Sequence, residues 1–293
     1  MPPGSTLPRR ALGRQLRKLR ERNGFTATAA SRIAETSPQT YGRLEDGRIT
    51  KVTDMLLNTL ANAYKATDTE RRLLLALAQE IRTSSTNGGG WWRAYADSLA
   101  TNFDHYLSLE EAANWVTSWQ TTLVPGLLQT REYRRAITWA TSPDTPSKEV
   151  DRMLDMAAKR QSILDREGFR FEALLAEGVL HYQVGNPEIM AAQIQTLLEK
   201  CEQAEIRFVP FRAKNPCGLI ASPFVLFSFP PLLTSKLQEP PVAYVEGLAG
   251  DLYLERRTEV SMYSQEAEKI RHVALSRSAS KNLMLRALKE WQA

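Results

Sequence analysis

The sequence predicts an α+β protein whose two parts differ in architecture. Residues 1–82 contain short amphipathic segments with helical spacing, which favours an all-α domain of five helices. Residues 91–293 combine helical segments with β-type runs, which indicates a mixed α+β domain. The segment between them, residues 83–90, reads Thr-Ser-Ser-Thr-Asn-Gly-Gly-Gly and is typical of a linker. We call the first part the head and the second part the body.

Capping residues predict where the helices of the head begin and end. The leucines of residues 12–19 recur at helical spacing, and Gly24 predicts the end of this first helix. Thr26 predicts the N-cap of a second helix, because its hydroxyl can accept a hydrogen bond from the first turn. Pro38 suits the first turn of a third helix, which Gly47 ends. Two more amphipathic helices are predicted, at residues 53–64 and 68–81.

The body contains helices first and several β-type runs later. Helices are predicted at residues 104–120, 130–141, 147–166 and 187–203, and from 258 to 291 with a break near Ser276. Strands are predicted at residues 169–175, 206–211, 224–229, 242–246 and 252–254. Residues 230–241 begin with Pro230-Pro231 and end with Pro240-Pro241, and we expect this loop to be exposed and mobile.

The composition is typical of a globular protein and argues against membrane-spanning, secreted and disulfide-rich classes. The 293 residues are 43% hydrophobic and 24% charged, as in globular proteins. No run reaches the roughly 18 apolar residues of a membrane span, and no apolar signal core precedes Arg9. Cys201 and Cys217 are too few for a disulfide framework and lack zinc spacing. We therefore expect a cytoplasmic protein with no membrane association, no metal and no cofactor.

Charge is unevenly distributed between the two parts. Residues 1–82 hold 15 Lys and Arg against 8 Asp and Glu, a net charge of +7. Residues 83–293 hold 23 against 25, a net charge of −2. A basic head on a slightly acidic body suggests that the head binds a polyanion, although charge alone is equally consistent with a solvated helix face.

The second and third predicted helices read as a helix-turn-helix. In this motif the early residues of the second helix of the pair reach base edges in the DNA major groove. Those residues are Gln39, Thr40 and Arg43, which suit adenine, a thymine methyl group and guanine respectively. Tyr41 lies between them, and we expect it to pack in the core. The candidate phosphate contacts, each with a surface role as the alternative, are Arg14, Arg17, Arg32, Arg48 and Lys51.

Residues 10–80 resemble the lambda-repressor-like (XRE) family of helix-turn-helix proteins. The most specific match is Arg43-Leu44-Glu45-Asp46-Gly47 together with Arg20. The resemblance implies that Arg20 and Glu45 form a partly buried, structural ion pair between the first and third helices. Two positions depart from the family pattern, because Ala27 replaces a common Gln and Glu35 replaces a common turn Gly. The departures suggest fewer specific contacts per head, and therefore more reliance on phosphate contacts or on dimerisation.

Aromatic and Pro/Gly landmarks of the body carry a second resemblance. With the segment Val124-Pro-Gly-Leu-Leu-Gln-Thr130 as its most specific mark, the body is similar to the C-terminal domain of unknown function in WhiJ-like or antitoxin-like regulators of actinobacteria. The resemblance implies a transcription regulator, often encoded beside a small protein that is a candidate partner. Independently of the resemblance, Pro125-Gly126 predicts a tight turn, with Thr130 as the N-cap of the next helix.

Three body residues are candidates for binding a ligand or a partner. Glu110 and Glu246 place carboxylates beside aromatic residues, and such a site can receive a cationic ligand or a partner's Arg. The alternative is an internal ion pair with Arg131 or Arg134. Trp115 is the third candidate, but we expect it to lie in the core, with a pocket wall as the alternative. The same expectation holds for the other tryptophans of this region, Trp91, Trp92 and Trp119.

Catalytic motifs are not found in the sequence, so we expect no enzyme. The three histidines are isolated, and no G-x-S-x-G or Walker motif occurs. The favoured hypothesis is a homodimer that binds a double-stranded DNA operator and receives a signal through the body. One alternative is an antitoxin-like protein that neutralises a small protein encoded nearby and autoregulates. The other is a receptor with a preformed pocket for a small-molecule effector.

Overall fold

The computed structural model divides the chain into two compact units. It describes residues 7–48, 50–86, 95, 103–214, 218, 220–232, 235–247 and 250–293. Unit 1 comprises Met1–Ala112 and Phe229–Glu239, and unit 2 comprises Ala113–Ser228 and Pro240–Ala293. The last head helix continues to Thr86, so half of the expected linker is helical. The other half, together with Trp91 and Trp92, lies outside the described residues.

Unit 1 is helical throughout its described part. Its helices are α1 (Leu7–Arg22), α2 (Ala27–Ile33), α3 (Pro38–Glu45), α4 (Asp54–Ala63), α5 (Asp68–Thr86) and α6 (Phe103–Ala112). The hydroxyls of Thr26, Ser37 and Thr53 accept hydrogen bonds from first-turn backbone N–H groups of α2, α3 and α4. The five helices predicted for the head are therefore confirmed, as is the overall α+β class.

Unit 2 is built on one mixed six-stranded sheet. The strands are β1 (Trp115–Gln120), β2 (Arg170–Ala176), β3 (Glu205–Val209), β4 (Phe224–Ser228), β5 (Val242–Val245) and β6 (Leu252–Leu254). Their order is β3-β2-β1-β4-β5-β6. The pairs β1–β2 and β2–β3 are parallel, and the other three pairs are antiparallel.

Five α-helices complete the described part of unit 2. They are α7 (Arg131–Thr141), α8 (Ser147–Gln161), α9 (Pro187–Lys200), α10 (Arg257–Val273) and α11 (Arg277–Gln292). Ser276 caps α11, so the predicted break in the last helical region is confirmed. The fully buried Ile270 of α10 packs with Trp119 of β1 and Phe224 of β4 in an apolar cluster on the sheet. Trp119 is therefore a core residue, as predicted.

The prediction of one helix over residues 104–120 is wrong. Helix α6 ends at Ala112, and residues Trp115–Gln120 form the central strand β1. Four consecutive residues of β1 are buried, because the strand is hydrogen-bonded on both sides and covered on both faces. A strand of this kind lacks the alternation that would distinguish it from a helix in the sequence.

The prediction that residues 230–241 form an exposed loop holds only in part, because two of its described residues, Leu232 and Glu239, are buried, whereas Pro231, Lys236, Gln238 and Pro241 are exposed. Residues 229–239 fold as part of unit 1, and we call them the strap. Glu239 is fully buried, and Phe229 and Leu232 are also buried. Prolines predict correctly that this segment is irregular, but they carry no information about what covers it.

Candidate nucleic-acid interface

A short turn at residues 34–37 joins α2 to α3. Glu35 adopts a left-handed conformation with φ of 48°. This is the turn position where glycine is common in the lambda-repressor-like family that the head resembles. The backbone N–H of Thr36 donates to the carbonyl of Ser31 at 2.9 Å, which closes the turn. Ser37 then caps α3. A non-glycine residue therefore occupies this bend, as the sequence predicted.

Helix α3 has one exposed and one buried face. Gln39 and Thr40 are exposed and Arg43 is half-buried. Tyr41 is fully buried, as predicted, and its hydroxyl lies 2.8 Å from that of Tyr64. Burial and the hydrogen bond with Tyr64 raise the pKa of Tyr41. The three candidate base contacts therefore lie away from the buried tyrosine that anchors the helix.

A buried ion pair joins α1 to the end of α3. Arg20 donates two hydrogen bonds to the Glu45 carboxylate, at 2.6 and 2.9 Å. Arg17 and the Tyr41 hydroxyl donate two more, at 3.2 and 2.8 Å. Burial alone would raise the pKa of Glu45, but the hydrogen bonds from Arg20, Tyr41 and Arg17 hold it below its usual value. The pair implied by the family resemblance is thus present in the structure.

Two glycines let the end of α3 and the turn after it touch α1. A Cβ atom on Gly13 would lie 2.3 Å from the carbonyl oxygen of Glu45. Gly47 has φ of 66°, and its Cβ would lie 2.6 Å from the Cα atom of Arg10. These backbone contacts fix the position of α3 relative to α1.

The candidate phosphate contacts fall into two groups. Arg32, Arg48 and Lys51 are exposed. Arg17 and Arg14 instead belong to ion pairs, Arg17 with Glu45 and Asp46, and Arg14 with Glu239 of the strap. No local pattern in the sequence indicates the pairing of Arg14 with Glu239, because the two residues lie 225 positions apart. Whether any of the five binds phosphate stays a prediction.

His105 of α6 supports a prediction about acid stability of unit 1. Burial, followed by the charges of Arg10 and Arg48, lowers its pKa to about 4 from 6.5. An unfolded chain takes up a proton below pH 6.5, whereas the folded chain does so only near pH 4. We expect unit 1 to lose on the order of 3 kcal/mol of stability as the pH falls through this range.

The measurement is urea unfolding of wild type and of His105→Gln at pH 7.5, 6, 5 and 4, roughly spanning both pKa values. The variant lacks the titrating group and should lose less stability with falling pH, although carboxylates such as Glu45 still contribute at the acid end. Parallel stability curves for the two proteins would contradict the assignment.

The three ligand or partner candidates are divided between the two units. Glu110 is buried in α6 of unit 1, whereas Trp115 and Glu246 belong to unit 2. Trp115 pairs with Ser228 at one end of β4, and Glu246 follows β5 at the other end. Trp115 is 42% exposed, so the expectation that it lies in the core is wrong. Its position at the first residue of β1 explains this exposure.

For Glu246, the electrostatics of Arg134 support the alternative of an internal ion pair. Arg131 pairs with Asp155 at 2.7 Å and more weakly with Asp151. Burial and the nearby charge of Arg160 lower the pKa of Arg134, and the charge of Glu246 opposes this effect. Glu246 is therefore close enough to Arg134 to interact with it electrostatically.

The segment Val124–Thr130 is held in place by three glutamine side chains. The side-chain amides of Gln129, Gln161 and Gln193 donate to backbone carbonyls within the segment at 2.7 to 3.1 Å. Gln193 also accepts from the backbone N–H of Thr130, which caps α7 as predicted. Residues Gly126–Leu128 form a single 3₁₀ turn. These contacts support the structural interpretation of the Pro125-Gly126 turn.

The described residues contain neither a helix suited to span a membrane nor a cluster of metal-ligating side chains. Among those residues, no helix is both long and apolar enough to cross a membrane. Within the same part of the chain, no group of three or more His, Cys, Asp or Glu side chains could hold a metal ion.

Comparison with known proteins matches two parts of the chain to family models. Residues 11–74 match a Helix-turn-helix domain. Residues 103–286, well over half of the chain, match a Domain of unknown function (DUF5753). No curated protein and no solved structure matches the chain. The first match covers α2, α3, α4 and most of α1, the elements that carry the candidate base contacts.

Proposed function

Since the chain belongs to the family of the Domain of unknown function (DUF5753), whose name assigns no activity, we propose its function from the helix-turn-helix domain: it is a sequence-specific DNA-binding transcription regulator. The observation that carries this proposal is the orientation of α3. Gln39 and Thr40 are exposed on it, while Tyr41 and Glu45 fasten its other face to the rest of unit 1. An exposed helix on a rigid support suits insertion into the major groove.

The chemistry of the exposed residues matches base edges. Gln39 can form two hydrogen bonds with adenine, Arg43 can form two with guanine, and the Thr40 methyl group can contact that of thymine. The exposed cations Arg48 and Lys51 come three and six residues after the end of α3 and suit the neighbouring phosphates. These assignments divide unit 1 into residues that specify sequence and residues that supply affinity.

Paired substitutions test this division. Arg43→Ala should reduce discrimination between the preferred site and other sequences by about 1–3 kcal/mol, because a base contact is lost. Lys51→Ala should weaken binding to all sequences alike and make the salt dependence shallower by about one phosphate contact. Fluorescence anisotropy on preferred and scrambled duplexes over a range of salt concentrations measures both effects. Equal losses on both duplexes for Arg43→Ala, or affinity independent of salt, would contradict the proposal.

We propose further that two copies of the chain act together and that unit 2 receives a signal. We also propose that the protein has no catalytic activity and works in a reducing, cytoplasmic setting. Support for pairing comes from α2 and its turn, where Ala27 and Glu35 leave fewer groups for specific contacts. A symmetric dimer reads two half-sites together and gains affinity in that way. The resemblance to WhiJ-like and antitoxin-like regulators of actinobacteria suggests a small protein encoded nearby as the signal, and a small molecule is the alternative.

Native mass spectrometry of the protein purified gently from its own host distinguishes these possibilities. A dimer that carries an extra small polypeptide supports the protein partner, including an antitoxin-like role. A dimer heavier by a small molecule supports a receptor with a preformed pocket. A bare monomer at concentrations that saturate DNA contradicts pairing.

A further inference from the structure

The strap, residues 229–239, is a distant part of the chain that folds into unit 1. The Ser235 backbone N–H donates to the Glu80 carboxylate of α5 at 2.6 Å. Within the strap, the N–H of Leu232 donates to the carbonyl of Leu237 at 2.9 Å. The strap is therefore held both by its own hydrogen bonds and by a side chain of the head.

Glu239 is the residue of the strap with the strongest charge contacts. Its carboxylate is fully buried and accepts one hydrogen bond from Arg14 at 2.7 Å and a second from the other terminal nitrogen of that guanidinium. Arg10, itself 3% exposed, places Nε 3.9 Å from the same carboxylate. The Arg10 guanidinium also lies 5.6 Å from the centre of the Phe229 ring. Two arginines of α1 thus converge on one carboxylate.

These arginines lie on the side of α1 that contacts the end of α3. Arg10, Arg14 and Arg17 are four and three residues apart and share one face of the helix. Arg10 packs against Gly47, and Arg17 donates to Asp46 at 2.7 Å. Positions 46 and 47 directly follow α3, and the candidate phosphate contact Arg48 comes next. The Arg10–Arg14 pair is therefore next to the proposed DNA-binding elements.

We propose that Arg10 and Arg14 form a binding site for a backbone phosphate of duplex DNA, and that the Glu239 carboxylate occupies this site when the strap is seated. The two-point contact of Arg14 with Glu239 is the geometry with which arginine also binds phosphate. Because Glu239 is buried, a phosphate reaches these arginines only after the strap moves. The strap thereby acts as an internal competitor of DNA, an inference that rests on the proposed DNA-binding function.

The strap lies between β4 and β5 in the chain, so changes in these strands can regulate the competition between Glu239 and DNA. The strap directly follows β4, which ends at Ser228, and β5 begins three residues after Glu239 at Val242. Both ends of the strap are thus covalently continuous with strands of the unit 2 sheet. A signal that alters these strands can shift the strap and change the occupancy of Arg14.

The first test compares Glu239→Gln with wild type for binding to a short random-sequence DNA duplex over a range of salt concentrations. We expect tighter binding at low salt and a log–log salt slope steeper by about 0.9 for each phosphate gained. Glu70→Gln is the matched control. It removes one negative charge, as Glu239→Gln does, and it also disrupts a two-point pair with an arginine, here the exposed pair of Glu70 with Arg22. In the double variant Arg14→Gln/Glu239→Gln, the slope should return toward that of wild type.

Weaker binding by Glu239→Gln with an unchanged slope would overturn the proposal and leave the strap a purely structural element.

A second measurement needs no substitution and applies even if that variant does not fold. Amides of Leu232, Ser235 and Lys236 donate hydrogen bonds that fix the strap, so their hydrogen exchange in wild type should accelerate when the duplex is added. Unchanged exchange at saturating DNA would overturn the competition. Absence of DNA binding by both wild type and Glu239→Gln would instead refute the proposed function itself.

Discussion

Replacing Arg20 by alanine will destabilise unit 1 by about 3–5 kcal/mol, enough to unfold it or nearly so. Arg20 is 11% and Glu45 4% exposed, so the substitution leaves a buried carboxylate without its main counter-charge. Arg17 and Tyr41 still donate to Glu45, but Arg17 is 43% exposed and its contact is longer, at 3.2 Å. Because the pair joins α1 to α3, its loss also removes the support of the proposed recognition helix.

Hydrogen exchange monitored by mass spectrometry during urea titration measures this effect in each unit separately. Amides of α1, α3 and α5 should lose protection at lower urea in Arg20→Ala, whereas those of the unit 2 sheet should not. Arg22→Ala is the matched control, because Arg22 is 44% exposed and its pair with Glu70 should contribute less than about 1 kcal/mol. An unchanged midpoint for unit 1 in Arg20→Ala would show that the pair does not stabilise the head.

Replacing Arg271 by alanine will have a comparable effect on unit 2, at about 3 kcal/mol. Arg271 of α10 donates two hydrogen bonds to Glu172 of β2, at 2.6 and 2.7 Å. The Thr117 hydroxyl of β1 donates to the same carboxylate at 2.9 Å. Glu172 is 5% exposed, whereas Arg271 is 25% exposed, which places the expected loss at the lower end for buried pairs. The Glu172 carboxylate thus connects the neighbouring strands β1 and β2 to helix α10.

The same exchange experiment tests this second prediction, with the two variants as controls for each other. In Arg271→Ala, amides of β1 and β2 should lose protection first, while those of α1 and α3 keep it. Arg131→Ala removes an arginine that is 45% exposed and paired with Asp155, and should leave the midpoint of unit 2 almost unchanged. Equal midpoints for Arg271→Ala and Arg131→Ala would contradict a stabilising role for the Arg271–Glu172 pair.

The head was predictable because its signals are local. Thr26 and Thr53 cap helices within three residues of themselves, and Pro38 and Gly47 mark the two ends of α3. Such signals depend on the backbone near the residue and need no tertiary information. The buried Tyr41 and the exposed Gln39 follow from the helical period in the same way.

Long-range contacts account for what the sequence did not reveal. Strand β1 was predicted as helix, because pairing on both sides makes its residues uniformly buried, and its partners β2 and β4 lie far along the chain. The strap contains polar residues and prolines, which are typical of a surface loop. Its buried Glu239, however, pairs with Arg10 and Arg14, more than 200 residues away in sequence. No local pattern reports a pairing of that kind.

Selection of DNA sites from a pool of randomised duplexes by the full-length chain tests the central claim most directly. If α3 reads base edges, wild type will enrich one sequence motif, and Arg43→Ala will bind DNA with a weaker preference at a defined position of that motif. The selection is run at two salt concentrations, so that phosphate contacts and base contacts separate. Recovery of all sequences in equal proportion by wild type, or an identical motif with Arg43→Ala, would contradict sequence reading by α3.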